Sequence, residues 1–210
     1  MQLLDRIEKN LELRNDNGLL RQLKTTKGLI DFCSNDYLGL STDTQLQLNI
    51  KSKLESIGFD LGSGGSRLLA GNSKTHELFE TTLANVHKAE AALLFNSGYV
   101  ANLGFFSTVP SKGDVVLYDE KIHACIKDGM RLSLAKHHSF KHNDVVHLEK
   151  KLSTLDVDNV FIAIESVYSM DGDECPLLDI IALAKKYNAF IVLDEAHTTG
   201  VNGVKGGGLA

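Results

Sequence analysis

Cysteine is scarce in this chain, and the three present, Cys33, Cys125 and Cys175, are odd in number and far apart. That pattern argues against a disulfide-stapled secreted scaffold, shows no zinc-ligand spacing and suits a reducing compartment. No apolar run reaches the roughly 20 residues that span a bilayer. The first residues carry Asp5 and Glu8 and lack the apolar centre of a signal peptide, so the expected location is cytoplasmic. Positive charge is in deficit: 22 Lys and Arg against 27 Asp and Glu leave a net charge of -5. A general nucleic-acid binder would be basic. The three-glycine dinucleotide fingerprint and the Walker loop are missing, which counts against a nucleotide-binding α/β protein. Internal repeats and low-complexity tracts are absent as well.

What is present reads as an ordinary globular protein. The 210 residues are 43% apolar and 23% charged, enough to build a real core. Residues 3 to 23 carry an approximate helical stripe through Leu3, Leu4, Ile7, Leu11 and Leu13, with Gly18 breaking or dividing it. Residues 43 to 57 also read as a helix. The segment "GFDLGSGGSRLLAGNS", 58 to 73, has many glycines and no period, and reads as a long functional loop. A helix over 74 to 86 follows.

An alternation then begins. "AALLF" predicts a strand, "GYVANLGFFSTV" a helix, "DVVLYD" a strand, and residues 122 to 134 a helix. "HNDVVHLEKKL" predicts a helix, "VFIAIE" a strand, "PLLDIIALAKKY" a helix entered at Pro176, and "FIVLD" a strand. Short apolar runs separated by helices predict an α/β fold, a three-layer sandwich around a mostly parallel sheet. Ligands of such folds bind at the carboxyl ends of the strands.

Four of those ends carry candidate chemistry. Asp194 follows "FIVL" directly, and a carboxylate there needs a partner, such as a protonated ring nitrogen. Strand-end aspartates also serve magnesium and nucleotides, and an Asp that merely caps a turn is the plain alternative. In "NSGYVAN" a helix starts just after Ser97 and Gly98, where free amides suit a phosphate and Tyr99 can cover a flat ring; a tight turn is the alternative. His123 follows "VVLYD" and can stack on a planar group or move a proton. Lone histidines are more often structural, and His137, His138, His142 and His147 form no metal set. Ser169, in "ESVYSMDGD", can donate to a phenolate-like oxygen, or simply belong to a polar loop. Together these features suit a phosphorylated pyridine cofactor.

Several motifs in order, "DFCSNDYLGL", "GSGGSRLLAGNSKTHELFE", "ALLFNSGYVANLG", "ESVYSMDGD" and "LDEAHTTGVNG", resemble the α-oxoamine synthases. These belong to the pyridoxal 5'-phosphate enzymes of the aspartate aminotransferase fold type. The resemblance runs from about residue 11 to 209. It implies that the backbone at Ser97, Gly98 and Tyr99 holds the cofactor phosphate and that His123 stacks on the ring. It implies that Ser169 and His197 stand at the phenolic oxygen and that Asp194 keeps the pyridine nitrogen protonated. Arg21 and Asn35 would receive substrate, with Ser66 and His76 as weaker candidates near a dimer interface. No metal is implied.

The implied activity is decarboxylative condensation of L-alanine with pimeloyl-CoA or another pimeloyl thioester to 8-amino-7-oxononanoate, on the route to biotin, by a homodimer. Condensation of glycine with acetyl-CoA, or of serine with a long acyl thioester, is the nearest alternative, and a non-catalytic remnant another. Residues 1–30 are expected to form a helical arm and 31–210 part of the cofactor-binding large domain. The family's Schiff-base lysine is expected some thirty residues after Asp194. Lys205, in the glycine-rich "GVNGVKGGGLA", is not assigned that role. The chain therefore reads as truncated, without its C-terminal small domain, and as inactive alone.

Overall fold

A computed structural model describes residues 3–23, 25, 28–58 and 62–210. Part of the expected 58–73 loop, residues 59–61, lies outside the described residues. The chain forms two compact units, Met1–Asp36 and Tyr37–Ala210.

The first unit contains helix α1, Leu3–Asp16. The expected helix to residue 23 stops seven residues earlier. The Leu19 amide turns back to the Arg14 carbonyl at 2.7 Å, and Gly18 takes a left-handed φ of 66°. Such an exit satisfies the last carbonyls of a helix, and glycine adopts it without a Cβ penalty. Downstream, the Asp31 carboxylate accepts the amides of Cys33 and Ser34 and closes a tight turn beside Asn35.

In the second unit, α2 (Thr44–Ile57) is capped by Asp43 and α3 (Lys74–Val86) by Ser73. A π-turn over Arg67–Gly71 lies between them. The alternating part follows as α4 (Gly98–Thr108), β1 (Val115–Asp119), α5 (Ala124–Leu132), β2 (Lys136–Phe140), α6 (Val145–Leu152), β3 (Val160–Glu165), α7 (Leu177–Tyr187) and β4 (Phe190–Asp194). The sheet is parallel throughout, in the order β2-β1-β3-β4.

Side chains alternate across a strand, and here the alternation sorts two cores. Val115, Leu117, Ile162 and Ile164 face one side, with Leu148 and Leu152 of α6 and Ile180 and Leu183 of α7. Val116, Phe161 and Ala163 face the other, with Phe106 of α4 and Ile126 and Met130 of α5. This is the expected three-layer α/β arrangement. Each fully buried aliphatic or aromatic side chain contributes about 1.5–3 kcal/mol by leaving water.

One expected strand is absent and one strand was not foreseen. Ala91–Phe95 is not a strand: among the described residues no strand pairs with it, and its Leu94 amide bonds instead to Glu80 Oε1 at 2.8 Å. Lys136–Phe140, which has no apolar run, is a strand, because the edge of β1 supplies its ladder.

Candidate active site

Three adjacent parallel strands each end in a carboxylate: Asp119 on β1, Glu165 on β3 and Asp194 on β4. Glu165 and Asp194 are register partners. Asp119 and Glu165 are buried, so each needs donors to offset desolvation.

Asp194 is half-buried and held from two sides. Its Oδ1 accepts the Ala196 amide at 2.9 Å, and its Oδ2 accepts Asn102 Nδ2 at 2.7 Å. A carboxylate has about four acceptor sites, so two held bonds leave capacity for a further N–H donor. Asn102 also donates to Cys125 Sγ at 3.2 Å. Cys125 Sγ in turn lies 2.9 Å from His123 Nδ1. A polar chain thus runs Asp194–Asn102–Cys125–His123.

His123 caps α5: its Nδ1 accepts the Cys125 amide at 3.2 Å. That bond makes Nδ1 the acceptor and, in the neutral ring, puts the proton on Nε2. The ring is exposed and meets Tyr99 edge-on, with centroids 6.5 Å apart. Tyr99 is itself fixed by a hydrogen bond from its hydroxyl to Asp128 on α5. The close passage of α4 and α5 depends on Gly129, where a Cβ would meet Phe106 Cβ at 2.8 Å and the Asn102 carbonyl at 3.1 Å.

Glu165 joins two loops. Its Oε1 accepts the His123 amide at 2.5 Å, and its carboxylate also bonds the Ser169 backbone. Burial pushes this carboxyl up to about 7, against the pull of those amides, and the charge of Asp194 adds to the rise. His197, in the turn after β4, places Nδ1 2.6 Å from the Tyr37 hydroxyl. Ser97 caps α4 by accepting the Val100 amide at 3.2 Å. The first amides of a helix have no carbonyl partner within it, and Gly98 and Tyr99 stand there.

Of the residues singled out from sequence, Ser97, Gly98, Tyr99 and His123 lie at helix starts, Asp194 at a strand end, and Ser169 and His197 in the turns after β3 and β4, all in the second unit. Arg21 and Asn35 belong to the first unit. Ser66 precedes the π-turn, whose amides converge on its carbonyl, and His76 Nδ1 lies 2.8 Å from Ser73 Oγ. Lys205 lines a cavity with Thr82, Asn85 and Val86 of α3. The sequence reading missed Asn102, Cys125, Glu165 and Tyr37. Asn102, Glu165 and Tyr37 stand inside motifs quoted above and Cys125 in the expected helix over 122 to 134, but only the fold shows what their side chains reach.

Comparison with known proteins adds to this geometry. Residues 27–207 match the family model for aminotransferase class I and II. A putative 8-amino-7-oxononanoate synthase 2 from Bacillus velezensis is 48% identical over 203 residues, covering 92% of this chain and 52% of that protein. A Sphingomonas wittichii serine palmitoyltransferase structure superposes with a TM-score of 0.88 at 31% identity, covering 100% of this chain and 56% of that one. A serine palmitoyltransferase from S. paucimobilis with a bound PLP–myriocin aldimine gives 0.84 at 32% identity, covering 100% and 58%. The chain spans about half the length of the curated relatives it matches.

Proposed function

The chain belongs to the aminotransferase class I and II family, and within it we propose that it forms the cofactor-binding part of an α-oxoamine synthase that condenses L-alanine with a pimeloyl thioester to give 8-amino-7-oxononanoate. The cofactor is pyridoxal 5'-phosphate. The observation that carries the reading is the chain from Asp194 through Asn102 and Cys125 to His123, which ties a strand-end carboxylate to an exposed imidazole.

The donor set fits this cofactor. Amides at Gly98 and Tyr99 open an eleven-residue helix and suit a phosphate. Asp194 has acceptor capacity left for a ring N–H. When bound, the cofactor supplies an electron sink for negative charge left at the amino acid's Cα. The chain's own residues do the rest. Asp194 holds a proton at the ring nitrogen, because a nearby negative charge favours the protonated form. Asn102 and the Ala196 amide fix the direction in which that carboxylate points. His123 covers the ring face, its own orientation set by Cys125. Ser169 and His197 donate to the phenolic oxygen, with Tyr37 orienting His197. Arg21 and Asn35 receive substrate.

The relatives' names support the substrate assignment, and a homodimer is part of it. Exposed apolar side chains such as Leu68, at 98%, and Leu69, at 89%, suit a covering second copy. A cytoplasmic setting suits three unpaired cysteines, and among the described residues no helix is long and apolar enough to cross a membrane. Lys205 borders a cavity with residues of α3, and we do not assign it cofactor attachment. The structural likeness to serine palmitoyltransferases supports serine as a second reading; the higher sequence identity to the synthase favours alanine.

The test has two arms. Absorbance titration of this chain with pyridoxal phosphate should show saturable binding that Asp194→Ala weakens at least about ten-fold. In a protein spanning the relatives' full length, alanine, glycine and serine are assayed against short and long thioesters. Binding indifferent to Asp194, or turnover with no amino acid, refutes the reading.

A further inference from the structure

A second charge cluster shares only Asp119 with the site described above. His142, just after β2, stands between two carboxylates. Its Nδ1 lies 2.8 Å from Asp119 Oδ1 and its Nε2 lies 2.7 Å from Asp173 Oδ2. Asp119 ends β1 and is fully buried. Asp173 belongs to the turn after β3 that carries Ser169. An ionised carboxylate can only accept. With both carboxylates ionised, each ring nitrogen faces an acceptor, an arrangement that favours a proton on each.

The surrounding charges agree. Burial pushes the imidazole toward its neutral form, but Asp119 and Asp173 together outweigh it and raise its pKa. Asp173 is the mirror case: burial raises it, His142 outweighs that, and its pKa is lowered. Lys121 neutralises Asp171, the third acid within reach of the ring. On the backbone side, Glu120 accepts the His142 amide at 3.2 Å. Tyr168 meets the ring edge-on at 4.5 Å, and burial raises its hydroxyl pKa, so it stays neutral. The neighbouring His147 points its Nδ1 at the Lys141 amide.

The turn that His142 grips is internally closed. Tyr168 N bonds to the Asp173 carbonyl at 3.0 Å and Gly172 N to the Tyr168 carbonyl at 2.9 Å. Asn143 Nδ2 adds a bond to Asp173 Oδ2 at 2.8 Å. The turn is thus held by its own backbone bonds, by the ring of His142 and by Glu165, whose carboxylate bonds the Ser169 backbone. We infer that His142 is a positioning residue, a doubly protonated ring that fastens the Tyr168–Asp173 turn to the end of β1 and thereby sets where Ser169 stands. The importance of Ser169 rests on the function proposed above; the fastening does not.

The experiment uses this chain without cofactor. In ¹⁵N-resolved NMR, both ring nitrogens of His142 should be protonated at pH 7, with a midpoint above the ordinary value of about 6.5. Asp173→Asn should lower that midpoint by about one unit, a ten-fold loss of proton affinity. In His142→Gln, hydrogen exchange at the Tyr168, Gly172 and Cys175 amides should rise at least about ten-fold while Ile162 and Ile164 stay protected. An unprotonated ring nitrogen at pH 7, or unchanged exchange in the turn, overturns the inference. Should His142→Gln fail to fold, Asp173→Asn, at a half-exposed position, carries the same exchange test. Because no measurement involves pyridoxal phosphate, failure here and failure of cofactor binding are separate results.

Discussion

Asn102 Nδ2 and Asp194 Oδ2 lie 2.7 Å apart, which joins the first helix of the alternating fold to its last strand. The bond aims the carboxylate, so it is the natural first target for mutation. Asn102→Leu removes the donor while keeping similar bulk. Cofactor affinity, followed by absorbance titration, should fall about 3- to 10-fold, the scale of a typical net hydrogen bond of about 1 kcal/mol. Asp194→Ala should do more damage. Equal affinity in the wild type and Asn102→Leu would show that the amide has no part in orienting Asp194.

Glu165 makes stability depend on pH in an unusual direction. Its carboxyl titrates at about 7 in the fold and near 4.5 when unfolded, so between those values the folded state binds the extra proton. Its stabilising contribution is complete below 4.5 and is lost as pH rises through 7. The swing is about 3 kcal/mol for a shift of this size, to order of magnitude. Urea midpoints measured from pH 4.5 to 8 should show this decline, and Glu165→Gln should flatten it. A decline that survives in the glutamine variant must arise elsewhere.

The Arg67–Glu80 pair has the opposite sign. Arg67 grips Glu80 at both oxygens, and that bond, with the Leu94 amide, holds the Glu80 carboxyl down to about 2. Stability from this pair is present above about 4.5 and drains away as pH falls toward 2. Arg67→Met should return the Glu80 midpoint toward the usual carboxylate range, read by side-chain carboxyl NMR. A midpoint that stays low would credit Leu94 alone.

Gly129→Ala sets two effects against each other. Alanine in a helix interior gains about 1 kcal/mol over glycine. The new methyl, however, would press on Phe106 Cβ at 2.8 Å and on the α4 backbone. Overpacking of a tight core costs about 1–3 kcal/mol. Because the obstructing atoms include backbone, the cost should win, and chemical denaturation should show net loss of stability. A gain would mean that α4 and α5 separate freely.

The alternating half of the fold was legible because its strands are apolar runs bounded by turn residues. "VFIAIE" and "FIVLD" needed no further signal. Lys136–Phe140 gave none, since an edge strand with polar side chains owes its state to its neighbour's ladder. Ala91–Phe95 shows the converse: an apolar run stays unladdered where no described residue pairs with it. The strand-end residues His123, Ser169 and Asp194 could be picked out because parallel topology puts ligands at that edge. Asn102 and Cys125 could not, since their parts depend on how closely two helices cross at Gly129. Glu165 looked like one more acid in a polar stretch, and only burial gives it a pKa near neutrality.

The bond between Asn102 and Asp194 spans 92 positions of chain. A ribosome adding about 5–20 residues per second would leave the amide waiting roughly 5 to 20 seconds for its partner. Helices α4 and α5 can form early, but the site they shape is finished only when β4 emerges. During synthesis, then, the bond that holds Asp194 is the last link this part of the polypeptide acquires.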